Sequence, residues 1–274
     1  MRKSLFLFSL AALLIFAATR CWHGSSFCLH KIQAHLELNP AWQTPSDPNV
    51  KQLLSQRYFY LGNGAQSYAF VSEDGKVVLK FFKMQKLLPK NWLKALPFLK
   101  EYRAKKVEGR EKKLADTFQA FVMAYQEFKE ESGLLFVHLN PTKELPSPVT
   151  LVKGDQEWQV DLNQLPFILQ EKAELIYTRL DRLLKENKQA ELQQALDSVF
   201  AFFKLRDQKG FIDQDSGVSG NFGFVSNRVI QIDVGRLQRK ASATPEELAA
   251  ATRAEAKLRA WKKDLSFEAN RIKQ

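Results

Sequence analysis

"YFYLGNGAQSYAFVSEDGKVVLKFFK" (residues 58–83) holds the reading on which the fold turns. Aromatic and β-branched residues flank two turn signals, Gly62-Asn63-Gly64 and Asp74-Gly75, so the stretch predicts strand, glycine turn, strand, tight hairpin, strand. The third strand, "VVLKFF", carries Lys80 among apolar neighbours. A solvated edge-strand lysine is one reading of that charge. A ligand-facing cation is the other.

Working outward, Leu114, Phe118, Phe121, Tyr125 and Phe128 recur at three- and four-residue intervals and predict an amphipathic helix over about 107–131, with Gly133 at its end. "LLFVHLN" (134–140) reads as extended, and "VTLVKGDQEWQVDL" (149–162) as a hairpin turning at Gly154-Asp155. "LPFILQEKAEL" (165–175) reads as a short apolar strand leaving through a charged connection. Helices are predicted over about 174–185 and 188–207, the second with Leu192, Leu196, Val199, Phe203 and Leu205. Thr244, Pro245 and Glu247 supply an N-cap, a first-turn proline and a capping-box glutamate for a last helix. The order is that of an α+β chain: a β-rich first half with one main helix, then a mostly helical second half.

Between the last two helices lies "FIDQDSGVSGNFGFVSNRVIQIDVGRL" (211–237). Turn chemistry alone favours Asp, Asn, Ser and Gly here. Asn221 and Asp233, however, bracket a short strand pair turning at Ser226-Asn227. A carboxylate and an amide oxygen are the hard ligands that Mg²⁺ requires to bridge phosphates.

Taken together, these motifs resemble the protein-kinase-like superfamily, including its small, divergent bacterial members, over roughly residues 58–237. The resemblance implies that Gly62 and Gly64, with Ser67 at the third glycine position, fold over ATP phosphates, and that Lys80 of "VVLK" holds them. "FILQEKAEL" resembles the fifth strand and hinge, which places Gln170, Glu171 and Ala173 at the adenine. Asn221 and Asp233 of "DVG" match the magnesium ligands. His-Arg-Asp is absent: Asp215 stands six residues before Asn221 and Asp213 eight. Either could be the base, and Asp213, after the apolar Ile212, is the favoured one. Glu108, Glu111 and Glu127 are candidate partners for Lys80. No Ala-Pro-Glu follows Gly235, and with fewer than about 40 residues after it the helical lobe is expected to be short. The implied function is an ATP- and Mg²⁺-dependent phosphotransferase or, with the unusual loop, a pseudokinase that binds nucleotide or protein without chemistry.

The 274 residues carry a net charge of +11 and 45% hydrophobic content, a normal globular core. Residues 80–113 hold twelve Lys and Arg against Glu101, Glu108 and Glu111, so most of the excess is local. Its cations alternate with Leu87, Leu88, Trp92, Leu93, Leu96, Phe98 and Leu99, as in a membrane-interface segment or a helix packed on the small lobe. No nucleic-acid motif accompanies it. Arg2 and Lys3 followed by the apolar run 4–18 predict a signal peptide or single anchor over 1–24, with the body membrane-associated or exported. Cys21 and Cys28, alternating with His23 and His30, could pair or hold a metal. Residues 25–57 read as a proline-bearing linker, 58–173 as a small lobe with a basic insert at 81–113, and 174–274 as the short helical lobe.

Overall fold

The alternation in the opening stretch becomes three antiparallel strands, β1 (Tyr58–Asn63), β2 (Ser67–Ser72) and β3 (Val77–Phe82). Gly75 turns the β2–β3 hairpin at φ +71°, a conformation glycine adopts without strain. Asp74 accepts from Ser72 Oγ at 2.6 Å and from the Lys76 amide at 3.0 Å, which holds its carboxyl below the ordinary range. The computed structural model describes residues 27–89, 100–215 and 217–272. The apolar run with Cys21 and His23, and residues 90–99 of the basic insert, lie outside the described residues. Among the described residues, no helix is long and apolar enough to cross a membrane.

Four more strands complete the large sheet: β4 (Leu134–His138), β5 (Val149–Lys153), β6 (Gln156–Val160) and β7 (Phe167–Glu171), in the order β4-β7-β3-β2-β1-β5-β6. The pairs are antiparallel except β1 with β5. Because side chains alternate across a strand, β3 sends Leu79 and Phe81 to one core and Phe82 to the other. Lys80 shares the face of Phe82.

That face is covered by the main helix, which follows a short turn of helix, α1 at Val50–Leu54 and α2 at Met84–Leu87 preceding it in the chain. The main helix, α3 (Lys100–Glu127), starts seven residues earlier than its apolar period predicts. Its first half shows no buried side chain among those described, so strong helix formers carry it without a core face. From Leu114 onward Thr117, Phe118, Phe121 and Val122 are buried, and Phe82 meets the rings of Phe118 and Phe121 at 5.1 Å each. A single turn, α4 (Lys129–Ser132), follows before Gly133 caps it at φ +63°.

The opposite face corrects the linker reading of residues 25–57. Phe27, Ile32, Val50 and Leu54 are core residues there, packed with Tyr68, Phe70, Leu79 and Phe81. Phe27 alone sets its ring edge-on against Tyr68, Phe70 and Trp158. The prolines do not mark a loose tether: Asn39 caps a turn starting at Pro40, and Thr44 Oγ1 donates to the Val137 carbonyl at 2.6 Å. Apolar residues spaced this widely have no period, which is why sequence pattern missed them.

The second half holds β8 (Glu174–Leu175), helices α5 (Ile176–Lys185) and α6 (Gln189–Gln208), strands β9 (Phe211–Asp213), β10 (Phe222–Val225), β11 (Arg228–Gln231) and β12 (Leu237–Arg239), and α7 (Pro245–Ile272). The helix expected from 174 therefore begins with two strand residues. These bind β10, so the connection between the halves is part of a small sheet, β11-β10-β8. On α6, Leu205 is exposed and Arg206 takes the buried place on the stripe. The capping box forms as expected, with Thr244 N donating to Glu247 Oε2 at 2.9 Å and Glu247 N to Thr244 Oγ1 at 3.3 Å. Thr244→Ala should lower stability by about 1 kcal/mol, read as a shift of the denaturation midpoint.

Candidate functional site

Lys80 reaches across from the large sheet to the second half. Its Nζ donates to the Ile232 carbonyl at 3.0 Å, and Gln170 Nε2 donates to the same oxygen at 3.1 Å and to the Ser132 carbonyl at 2.6 Å. Burial pushes the Lys80 ammonium down to about 8, while the neighbouring Asp233 carboxylate acts in the opposite sense. None of the expected glutamates is its partner. Glu127 pairs with Arg239, Glu108 and Glu111 are exposed, and among the described residues no carboxylate lies within 4.0 Å of Lys80. On that side α3 presents Thr117 and Phe121, whose side chains lie against Gly235.

Asn221 and Asp233 stand at the open end of one hairpin, as their spacing predicts. Strands β10 and β11 pair Phe222 with Gln231, and Ile232 N donates to the Asn221 carbonyl at 2.7 Å. The turn passes through Ser226 at φ +54°. Asp233 Oδ1 accepts from the Gly235 amide at 3.0 Å. The Asn221 amide nitrogen is buried with no hydrogen-bond partner. Lys80 thus reaches the end of this hairpin at Ile232, whose amide bonds the Asn221 backbone carbonyl and which precedes Asp233, the carboxylate that acts on the ammonium.

The two loop aspartates differ in access. Asp213 is 1% exposed, and both of its oxygens are engaged: Oδ1 accepts from Asp215 N at 2.8 Å and Oδ2 from Gln231 Nε2 at 2.7 Å. Burial pushes its carboxyl up to about 7, against the pull of the Asp215 amide and the Arg206 guanidinium. Asp215 is only half-buried. Its Oδ1 accepts from Gly217 N at 2.8 Å, and the space over Gly217 is bounded by Asp215 Oδ1 and the Asn221 amide. Asp215, not the favoured Asp213, is the carboxylate beside Asn221.

At the glycine turn, Gly64 N donates to the Ser67 carbonyl at 2.9 Å. Lys83, 4% exposed, donates to Asn63 Oδ1 and the Gly64 carbonyl, and Lys86 to the Ala65 carbonyl at 2.9 Å. The loop that carries Gly62, Gly64 and Ser67 is therefore held by its carbonyls from the basic segment that follows β3. Burial and the nearby Lys86 and Lys31 push Lys83 down to about 8. Along the connection, the Glu171 and Lys172 amides bond the Gly133 and Lys76 carbonyls at 2.8 Å each, and Glu171 pairs with Arg228. Gln170 acts through its side chain rather than its backbone, and Ala173 faces Gly223 of β10.

Sequence reasoning missed Gln231 and Arg206. Both carried a signal: Gln231 occupies an inward strand position in "RVIQ", and Arg206 extends the apolar stripe of α6 by one turn. Among the described residues, no three His, Cys, Asp or Glu side chains gather as a metal cluster. A divalent cation here would draw on Asp233, Asn221 and the oxygens of its ligand, the arrangement Mg²⁺ accepts.

No family model matches the chain, and no curated protein does. A similar solved structure is the complex of Rv3197 with erythromycin from Mycobacterium tuberculosis, 15% identical over 90% of this chain and 69% of that one, with a TM-score of 0.34. A likeness at that level assigns neither fold family nor activity.

Proposed function

We propose that the chain is a kinase-like protein that binds ATP with Mg²⁺ and transfers its phosphoryl group with Asp215 as base. The observation that carries this reading is the bond from Lys80 to the Ile232 carbonyl, at the hairpin end that Asn221 and Asp233 bracket. An ammonium has three donors, and Lys80 gives one to Ile232, which leaves two for phosphate oxygens. Asn221 and Asp233 would hold the cation, the turn at Gly62, Gly64 and Ser67 would lie over the phosphates, and the backbone near Ala173 would meet the base. The strand order supports the reading too: a lysine strand, a main helix, then strands leading into the connection.

The test is ATP binding by the full chain, with and without Mg²⁺. Losing a charge-assisted contact costs about 1.5–3 kcal/mol, so Lys80→Ala and Asp233→Ala should each weaken Mg·ATP binding about tenfold or more. Equal affinity in all three proteins would sink the site. Raising the pH from 7 to 9 discharges an ammonium that titrates near 8, so wild-type affinity should fall over that range and Lys80→Ala affinity should fall less, by the share that Lys83 carries at the glycine turn.

A second reading is a pseudokinase, a nucleotide-binding scaffold without chemistry. The enclosed Asp213 and, among the described residues, the lack of a carboxylate within 4.0 Å of Lys80 favour it. Phosphate release or self-phosphorylation that disappears in Asp215→Asn supports transfer. Tight Mg·ATP binding with neither supports the scaffold.

A further inference from the structure

Gln231 is wholly buried on β11, and each of its amide atoms has a fixed role. Arg206 NH1 lies 3.3 Å from Gln231 Oε1 and can only donate, so the amide must turn its oxygen there. Its Nε2 then faces two acceptors, Asp213 Oδ2 at 2.7 Å and the Asp233 carbonyl at 3.0 Å. Asp213 Oδ1 holds the Asp215 amide. One side chain thus links the guanidinium of α6, the loop bearing Asp215, and the backbone of Asp233.

We propose that Gln231 is a positioning residue for the divalent cation: by holding the Asp233 carbonyl from inside the fold, it sets where the Asp233 carboxylate stands. The proposal rests on the nucleotide reading above. It predicts an effect confined to the metal-dependent part of binding, because Lys80 and the glycine turn do not contact Gln231 in any of its three bonds.

The decisive variant combines Gln231→Glu with Asp213→Asn. The amide introduced at 213 can accept from the Asp215 backbone and donate to the carboxylate introduced at 231, which accepts from Arg206. The other bonds are kept, and the donor to the Asp233 carbonyl is replaced by a carboxylate oxygen that repels it. ATP affinity of the full chain is measured with Mg²⁺ and with EDTA, beside the melting temperature and that of Gln231→Leu. The expected result is a melting temperature well above that of Gln231→Leu, unchanged affinity in EDTA, and a gain from Mg²⁺ reduced about tenfold. A double variant that keeps the full gain overturns the proposal and leaves the nucleotide site standing. A wild type that binds ATP in neither buffer overturns both. In the wild type itself, the Gln231 side-chain NH₂ resonance should shift when Mg²⁺ is added to ATP-saturated protein; an unmoved resonance overturns the proposal even where the double variant does not fold.

Discussion

Wild-type protein should lose stability between pH 4 and pH 7 relative to Asp213→Asn, by up to about 4 kcal/mol at 1.36 kcal/mol per pH unit. The sign follows from where the proton sits. Asp213 titrates near 7 in the fold and near 3.8 in the unfolded chain. Between those values the fold keeps a proton that the unfolded chain has released, so folding takes up protons and stability falls as pH rises. The contribution is present in full below about 3.8 and is lost as the pH passes through about 7. The asparagine has no proton to exchange, though it offers one acceptor where two donors point and should cost about 1–3 kcal/mol at every pH. Denaturant midpoints across the range separate the two effects, the slope reporting the proton and the offset the bonds. Parallel slopes for the two proteins would mean that Asp213 is ionised in the fold throughout.

The same aspartate shows where sequence reading stops. The strand position of Lys80 and the hairpin that Asn221 and Asp233 bracket were legible because turn chemistry is local. Asp213 and Asp215 were not separable that way. They are two residues apart on one strand end, and what distinguishes them is a buried amide and a guanidinium from elements 18 and 7 residues distant from Asp213. Polar partners of this kind leave only one trace in a sequence, a hydrophilic residue on an apolar stripe. Arg206 and Gln231 both leave it.

The first half of the chain makes the complementary point. Hairpins and amphipathic helices announce themselves by period, and β1 to β3, the β5–β6 hairpin, and the core half of α3 were all readable. Residues 27–54 have no period, since Phe27, Ile32, Val50 and Leu54 each enter the core singly from turns. The start of α3 was hidden for the opposite reason: its first turns touch little, so no apolar pattern exists to mark them. Solvent-exposed helix is carried by propensity, and propensity is a weak signal beside prolines and a dense charge run.

Gly223→Val should cost about 3 kcal/mol or more, and the reason lies in how closely the two halves approach. Gly223 pairs with Ile230 on one side and Leu175 on the other. A Cβ there would lie 2.7 Å from the Glu174 carbonyl oxygen, 2.8 Å from Ala173 Cβ and 3.0 Å from Ile232 Cδ1. The first neighbour is backbone, so no rotamer change relieves the contact. The connection must move away from β10, and β8 must leave its ladder or carry the strand with it. The Ile232 side chain can turn its end aside, but a shift of β10 carries its partner β11, which leads into the Ile232 carbonyl that holds Lys80 and Gln170. Lost stability should therefore come with weakened Mg·ATP binding even where the variant remains folded. Gly220→Ala is the matched control: a Cβ there meets nothing within 4 Å, and its midpoint should stay within about 0.5 kcal/mol of wild type. If valine at 223 is tolerated as well as alanine at 220, the close contact between the connection and β10 does not exist in solution, and the geometry that brings Lys80 to Ile232 loses its support.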